Sequence, residues 1–418
     1  MAGWNGSGTF VRAYNWVADK LASIKIVASR MDGEFDNYKT GLENCLTRDG
    51  QTPPTADTPW NSKKITGLAN GTASTDAINL GQLSGITTGN AFRKNLLING
   101  GFDVWQAGAG GSASIAGGAT RTRTADCWWA IRQGTTGYTV SQQTGEVNRY
   151  ALKWQRDNGN ASTQNMLLAQ SLETANVVRL KRGTPPTLFL SFYAKKGANY
   201  SGGDLTANVV RGTATDQNVL DTYTGATTLA TLTQTLTGTL TRYSVTVPAD
   251  TSTNELGVRF TWTPTGAAGA DDSITLENVQ LEVASAATDF EYLPFDDTLR
   301  RCQRYYWKSF PYNTVPAQAA GSGNDTVFTI AGKAGASILL YSLKHPVDVR
   351  TAAMAATFYN TDAANAFARN QTLGVDATAT QISGGVGEHS AIVLITPTAG
   401  SGVGDRWGFN VVLADTNF

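Results

Sequence analysis

The sequence predicts a mainly β protein of several domains, with a short helical or irregular segment at its N-terminus. At 418 residues the chain exceeds one ordinary domain. Charged residues are only 16% of it, while glycine alone supplies 44 positions, a composition that suits turn-rich sandwiches better than helical enzymes. From residue 94 onward, short runs that alternate apolar and polar residues recur between Gly, Asn, Asp and Pro.

Taken in order, residues 1–60 hold the one heptad pattern. Ile24, Ala28, Met31, Phe35, Tyr38, Leu42 and Cys45 follow one another at alternating spacings of four and three, the seam of a coiled coil. Gly33 and Gly41 lie within it, and each weakens a helix by about 1 kcal/mol relative to Ala. The seam either packs on its own domain or pairs between chains. Asp49-Gly50, Pro53-Pro54 and Pro59 then break the helix.

Residues 61–93 form a joint. The stretch KITGLANGTASTDAINLGQL (64–83) has few apolar positions, too few to offset the entropy of ordering the chain. It is either a flexible linker or a segment that buries Ile65, Leu68, Ile78, Leu80 and Leu83 against copies of itself. Asn70-Gly71 and Ser74 to Asp76 read as turns, with Thr75 or Asp76 capping a short helix over AINLGQL. Here the chain resembles bacteriophage tail fibres and tail spikes. GWNGSGTFVRAYNW (3–16) and NCLTRDGQTPPTADTPW (44–60) are similar to their virion-attaching segments, and residues 64–83 to their collar element. The resemblance implies an elongated homotrimer made in the host cytoplasm and built into the virion. Residues 1–60 would attach it to a phage tail protein, and the five sparse apolar residues would face the three-fold axis.

Residues 94–296 predict a jelly-roll β-sandwich of about eight strands, from YTVSQQ, ALKWQR, TLFLSFYAKK, LTANVVR, TRYSVTVPA, LGVRFTWTP and SITLENVQLEV. TLTQTLTGTLTRYSVTV (231–247) alternates as a half-buried face requires. NLLINGGFDVW (95–105) and SITLENVQLEV (273–283) resemble the opening and closing strands of jelly-roll carbohydrate-binding modules, and ATDFEYLPFDDTLRRCQRYYWKS (287–309) the exit from such a domain in phage tail proteins. The resemblance implies a structural calcium held by Asn99, Asp103 and Glu277, although Asn278 stands where those modules carry a second acidic residue. Residues 297–418 predict a second, smaller β-sandwich at the tip, from TVFTIAG, SILLYSLKHPV, AATFYN, AIVLITPT and RWGFNVVLAD.

Charge and motif narrow the function. Thirty-three basic residues balance 33 acidic ones without a basic block, which argues against nucleic acid and anionic membranes as partners. No signal peptide is evident, and the apolar runs are too short to span a bilayer. Cys45, Cys127 and Cys302 are scattered and odd in number, so neither a disulfide framework nor a metal site is expected. His345 and His389 have no companion ligands at zinc spacing, and His345 reads as a strand-end residue with a structural hydrogen bond. No Gly-x-Ser-x-Gly elbow occurs, no pair stands out among Asp126, Glu146, Asp204, Asp271, Asp272 and Glu277, and no β-helix repeat runs along the chain. The expectation is therefore not an enzyme. It is a receptor-binding fibre for a bacterial surface polysaccharide or outer-membrane receptor, with a structural collar, baseplate or adaptor protein as the alternative. Sugar rings stack on aromatic faces, which makes Trp105, Trp128, Trp129, Tyr138 and Trp154, with Arg132 and Arg156, candidate glycan-binding residues; the competing role for each aromatic is core packing, expected for Trp262 by alternation with Val258 and Phe260.

Overall fold

The computed structural model describes residues 3–4, 9–43, 57, 62–73, 75–79, 94–107, 112–115, 121–132, 135, 137–181, 185–248, 250–330, 339–351, 354–386, 388–396 and 401–418. The chain divides into two compact units, Met1–Asn79 and Leu80–Phe418.

In the first unit, β1 (Gly3–Trp4) pairs antiparallel with β2 (Phe10–Val11). Helix α1 (Trp16–Leu21) is capped by the Asn15 side chain, which accepts the backbone N–H groups of Val17 and Ala18, each at 3.2 Å. Helix α2 (Ala28–Glu43) takes in the heptad positions from Ala28 to Leu42, while Ile24 precedes it. Its buried residues are Glu34, Asn37 and Gly41. Glu34 accepts the Tyr14 N–H at 3.0 Å, and the Asn37 amide donates to the Val11 carbonyl at 2.9 Å. Small residues are needed on this face: a Cβ at Gly41 would clash with the Phe10 ring at 2.0 Å, and one at Gly33 would be in tight contact with Tyr14 at 3.1 Å. The two residues that weaken the helix thus let the rest of the unit approach it. The apolar seam lies elsewhere, with Met31, Phe35, Tyr38 and Leu42 of the helix and Ile24 before it all exposed, although the Tyr38 ring stacks on Phe10 at 5.5 Å. Cys45 lies outside the described residues.

Residues 62–73 and 75–79 carry no helix or strand. The Asp76 carboxylate accepts the N–H groups of Thr72 (2.8 Å) and Ala73 (2.9 Å), which hold its carboxyl below the ordinary value. It therefore closes a turn behind itself instead of capping a helix ahead, and Ala77–Asn79 are not helical. Ile65, Leu68 and Ile78 are exposed; Leu80 and Leu83 lie outside the described residues.

The second unit begins with a jelly roll of two six-stranded antiparallel sheets. Sheet one runs β11 (Thr227–Gln234), β10 (Leu205–Gly212), β13 (Glu255–Trp262), β8 (Met166–Leu172), β5 (Trp129–Arg132), β4 (Thr122–Arg123). Sheet two runs β12 (Thr241–Val247), β9 (Leu188–Lys196), β14 (Ser273–Val283), β7 (Tyr150–Arg156), β6 (Tyr138–Thr144), β3 (Ser112–Ile115). The expected runs become strands, but there are more strands than eight. The Thr-rich stretch 231–247 is split between β11 and β12, the edge strands of opposite sheets, with Gly238 in the connection. Strand β8 escapes an alternation search because every one of its residues is buried. NLLINGGFDVW is not a strand. Asn99 and Phe102 adopt positive φ, and the segment hooks onto β14 through Leu96 N–H to Leu281 O and Val279 N–H to Gly100 O, where a bulge interrupts β14 between Glu277 and Gln280. The core is aromatic: Trp154 meets Trp262 edge-on at 6.1 Å and Phe192 meets Phe260 at 5.0 Å, so Trp262 is a core residue as its alternation predicts.

Helix α3 (Thr174–Val177) follows β8, and α4 (Phe295–Gln303) leads into the C-terminal sheet. There β15 (Tyr306–Lys308), β22 (Arg406–Ala414), β19 (Ala368–Asn370), β20 (Val375–Val386), β21 (Ser390–Thr396) and β17 (Leu339–Lys344) are neighbours in that order, while β16 (Val327–Ile330) and β18 (Ala355–Tyr359) also pair with β22. Strand β22 thus has β15 and β18 beside its last residues and β16 and β19 beside its first, and its Trp407, Phe409, Val411 and Leu413 enter one core. Polar contacts clamp this sheet to the jelly roll. Arg123 donates to the carbonyls of Asp415 and Phe418, Arg350 bridges Asp216 (2.9 Å) and Asp415 (2.6 Å), and the buried Lys308 ammonium donates to the carbonyls of Gln106, Tyr312 and Thr314.

Candidate functional site

Side chains alternate across sheet two, so each strand that sends one residue to the core sends the next to the outer face. On β7, Leu152 and Trp154 point inward and Lys153 outward; on β9, Ala194 is buried and Lys195 is not. Register then assembles a site. Thr275 of β14 pairs with Lys153 on one side and Lys195 on the other, and Lys153 pairs in turn with Ser141 of β6. These four polar residues form one row across four strands. Lys153, Thr275 and Lys195 line a groove of 560 Å³ whose lining also includes Gln143, Glu146, Asp271 and Glu277.

The groove is held rigid and its charges are matched. The Glu277 carboxylate accepts three consecutive N–H groups, those of Glu146 (2.9 Å), Val147 (2.9 Å) and Asn148 (3.1 Å), which fixes the β6–β7 hairpin as a wall. Lys195 contacts Glu146 on that wall, and Lys153 bonds Asp271 at 2.9 Å on the other side. Desolvation opposes ionisation of Asp271, but bonds from Lys153, the Ala198 N–H and Ser273 outweigh it and hold the carboxyl below its ordinary value. A polar row with paired lysines offers hydroxyl-rich, uncharged ligands hydrogen bonds from both walls.

The candidate glycan-binding residues are placed otherwise. Trp128, Tyr138 and Trp154 are fully buried, and Trp105 and Trp129 nearly so. Trp105 donates to the Phe102 carbonyl (2.8 Å), Trp128 to Asn99 O (3.1 Å) and Tyr138 to Ile131 O (2.7 Å). The Arg123 guanidinium lies 4.4 Å from the Trp129 ring centroid, so the outer face of that strand is covered as well. No ring face among the five is free to stack on a sugar, and their part is core packing. Arg156 is buried too. It pairs with Asp272 at 2.7 Å and donates to the carbonyls of Asn160, Ser162 and Gly266, stapling two loops. The side chain of Arg132 lies outside the described residues. The groove residues carried a sequence signal: they are the polar phase of ALKWQR, SFYAKK and SITLENV. What no sequence pattern supplies is the register that puts them in one row.

The calcium expectation fails a donor test. Both Glu277 oxygens are engaged by N–H groups, and the Asn99 side chain accepts the Val104 N–H while its own amide donates to the carbonyls of Val104 and Asp126. Asp103 is left without those companions, and desolvation raises its carboxyl above the ordinary value despite Arg149 nearby. Among the described residues no group of three or more His, Cys, Asp and Glu is placed to hold a metal. His345 follows β17, donates its backbone N–H to His389 O at 3.0 Å and packs against Trp307.

Comparison with known proteins adds two findings. Residues 64–104 match the sequence profile of the coiled stalk of trimeric autotransporter adhesins. Leu97 and Phe102, near the end of that match, lie in the jelly-roll core of this chain. No curated protein matches. Among solved structures, an enzymatically active domain of a bacteriophage CBA120 tailspike protein is 11% identical over 45% of this chain and 21% of its own, with a TM-score of 0.26. A xylan-binding module from Paenibacillus barcinonensis is 17% identical over 43% of this chain and 99% of its own, with a TM-score of 0.27. A tandem of such modules from the same organism is 13% identical over 72% and 99%, with a TM-score of 0.26. The chain spans about a fifth of the tailspike domain it matches. The fold assignment rests on the strand pairings above: a mainly β chain with a twelve-stranded sandwich, a smaller C-terminal sheet and a short helical N-terminal unit.

Proposed function

We propose that the chain is a homotrimeric attachment protein of the tail-fibre type, whose larger β unit engages a glycan on a bacterial surface. The observation that carries the trimer is the use α2 makes of its faces: a polar, glycine-bearing face packs on its own unit, and the apolar seam with coiled-coil spacing stays exposed, with Tyr38 stacked on Phe10. The stalk-like stretch 64–104 and the exposed Ile65, Leu68 and Ile78 support the same association. Residues 1–60 would dock on a phage tail protein, placing the chain in the virion. The groove on sheet two would bind neutral glycan, and several copies in one assembly would raise weak single-site affinity by avidity.

Two measurements test the proposal. Light scattering on the full chain should give three times the 44.3 kDa chain mass. Labelled protein should bind candidate host cells saturably and compete with phage adsorption, and Lys153→Ala with Thr275→Val should weaken that binding while costing no more than about 1 kcal/mol of stability, the scale of an exposed ion pair. A monomer, or cell binding indifferent to both substitutions, would reject this account; a trimer without cell affinity would favour a structural adaptor of the tail.

A further inference from the structure

We propose that the cleft between α3 and α4 is a second binding site, selective for an anionic saccharide unit. The cleft has a volume of 470 Å³, within the range of sites for small ligands. Among the described residues its lining holds three guanidinium groups, Arg179, Arg301 and Arg304, of which Arg301 has a partner of its own, and one carboxylate, Glu173. That carboxylate is already engaged. Arg304 grips it through Nη2 (2.7 Å) and Nε (3.2 Å), and the Tyr305 hydroxyl donates to Oε2 at 3.0 Å. The Arg304–Glu173 pair is therefore a fixed, internally compensated wall. Arg179, exposed on the turn that follows α3, brings its positive charge to the contents of the cleft.

The excess of positive lining charge stands out because the whole chain is neutral and the sheet-two groove pairs lysine with carboxylate. Guanidinium groups present paired donors that fit the two oxygens of a carboxylate or phosphate. Leu96 and Ile98 add apolar surface to the same cleft, which suits the C–H face of a sugar ring better than a free inorganic ion. The shared ligand chemistry is a sugar bearing a carboxylate or a phosphate.

Isothermal titration of the full chain tests this with three probes: trigalacturonic acid, glucose 6-phosphate and neutral maltotriose. The expected result is binding of at least one anionic probe, weakened by salt and about tenfold by Arg179→Ala, with partial recovery in Arg179→Lys and an unchanged melting temperature. Binding of trigalacturonic acid alone assigns the carboxylate as the recognised group, and of glucose 6-phosphate alone the phosphate. Lys153→Ala, in the groove, should leave these titrations unchanged, so failure of the groove and failure of the cleft are separable. No heat from either anionic probe at millimolar concentration, equal binding of maltotriose, or full binding by Arg179→Ala would overturn the proposal.

Discussion

Replacing Phe35 and Leu42 by Asp should dissociate the N-terminal unit without unfolding it. In the single chain these side chains are 60% and 69% exposed. Full burial of a Leu or Phe side chain contributes about 1.5–3 kcal/mol, so covering the exposed part is worth about 1–2 kcal/mol per residue. Two residues in three chains make about 6–12 kcal/mol of association free energy, before the cost of bringing the chains together. Asp at both positions removes this and sets like charges against one another in the seam. Neither side chain makes the contacts that fix α2 to its own unit, which run through Glu34, Asn37 and Gly41. The assay is sedimentation equilibrium on residues 1–79, the unit that the fold separates, with circular dichroism for helix content. The wild-type fragment should be trimeric and the double variant monomeric, at similar helicity. A monomeric wild-type fragment, or a variant of unchanged mass, would refute the inter-chain seam.

Further outcomes follow from other contacts. Gly41→Ala, a gain in helix propensity, should nevertheless destabilise the N-terminal unit by about 1–3 kcal/mol, because its Cβ would meet the Phe10 ring at 2.0 Å; a thermal melt of residues 1–79 checks it. Arg156→Met removes the guanidinium that balances the buried Asp272 charge, leaving it only the Ser201 N–H and hydroxyl, and should cost about 3–5 kcal/mol in urea unfolding of the second unit. The Asp271 carboxyl is held below its unfolded value of 3.8, so its contribution to stability is present above pH 3.8 and lost as pH falls through the folded value. Asp271→Asn should therefore flatten the acid limb of a stability–pH curve and lower stability at neutral pH by no more than about 1 kcal/mol, the scale of an exposed pair. Removing residues 1–60 should still leave a trimer in light scattering, held by residues 61–418, and a monomer would count against the trimer proposal.

The fold was largely legible along the chain. Runs such as ALKWQR and SITLENVQLEV become β7 and β14 because a half-buried strand imposes a two-residue period that needs no knowledge of its neighbours. Strand β8 was not legible, since burial on both faces erases that period, and residues 95–105 resembled a strand although positive φ at Asn99 and Phe102 folds them into turns. The candidate site fared differently. Trp128, Tyr138 and Trp154 have the chemistry to stack on sugars, and only the packing of one sheet on the other reveals that they spend it in the core.

By itself the sequence determined what depends on near neighbours: the mainly β class, the strand periods, the neutral charge and the heptad spacing from Ile24 to Leu42. The tertiary structure decided what depends on distant partners. It decided that α2 buries Glu34, Asn37 and Gly41 and leaves most of its apolar seam outside, because Gly41 admits Phe10 to the polar face, from which its ring reaches Tyr38 of the seam. It also decided that Ser141, Lys153, Thr275 and Lys195 share one row and that Arg179, Arg301 and Arg304 share one cleft. Strand register and helix docking are long-range geometry, and residues more than a hundred positions apart meet only when the core closes.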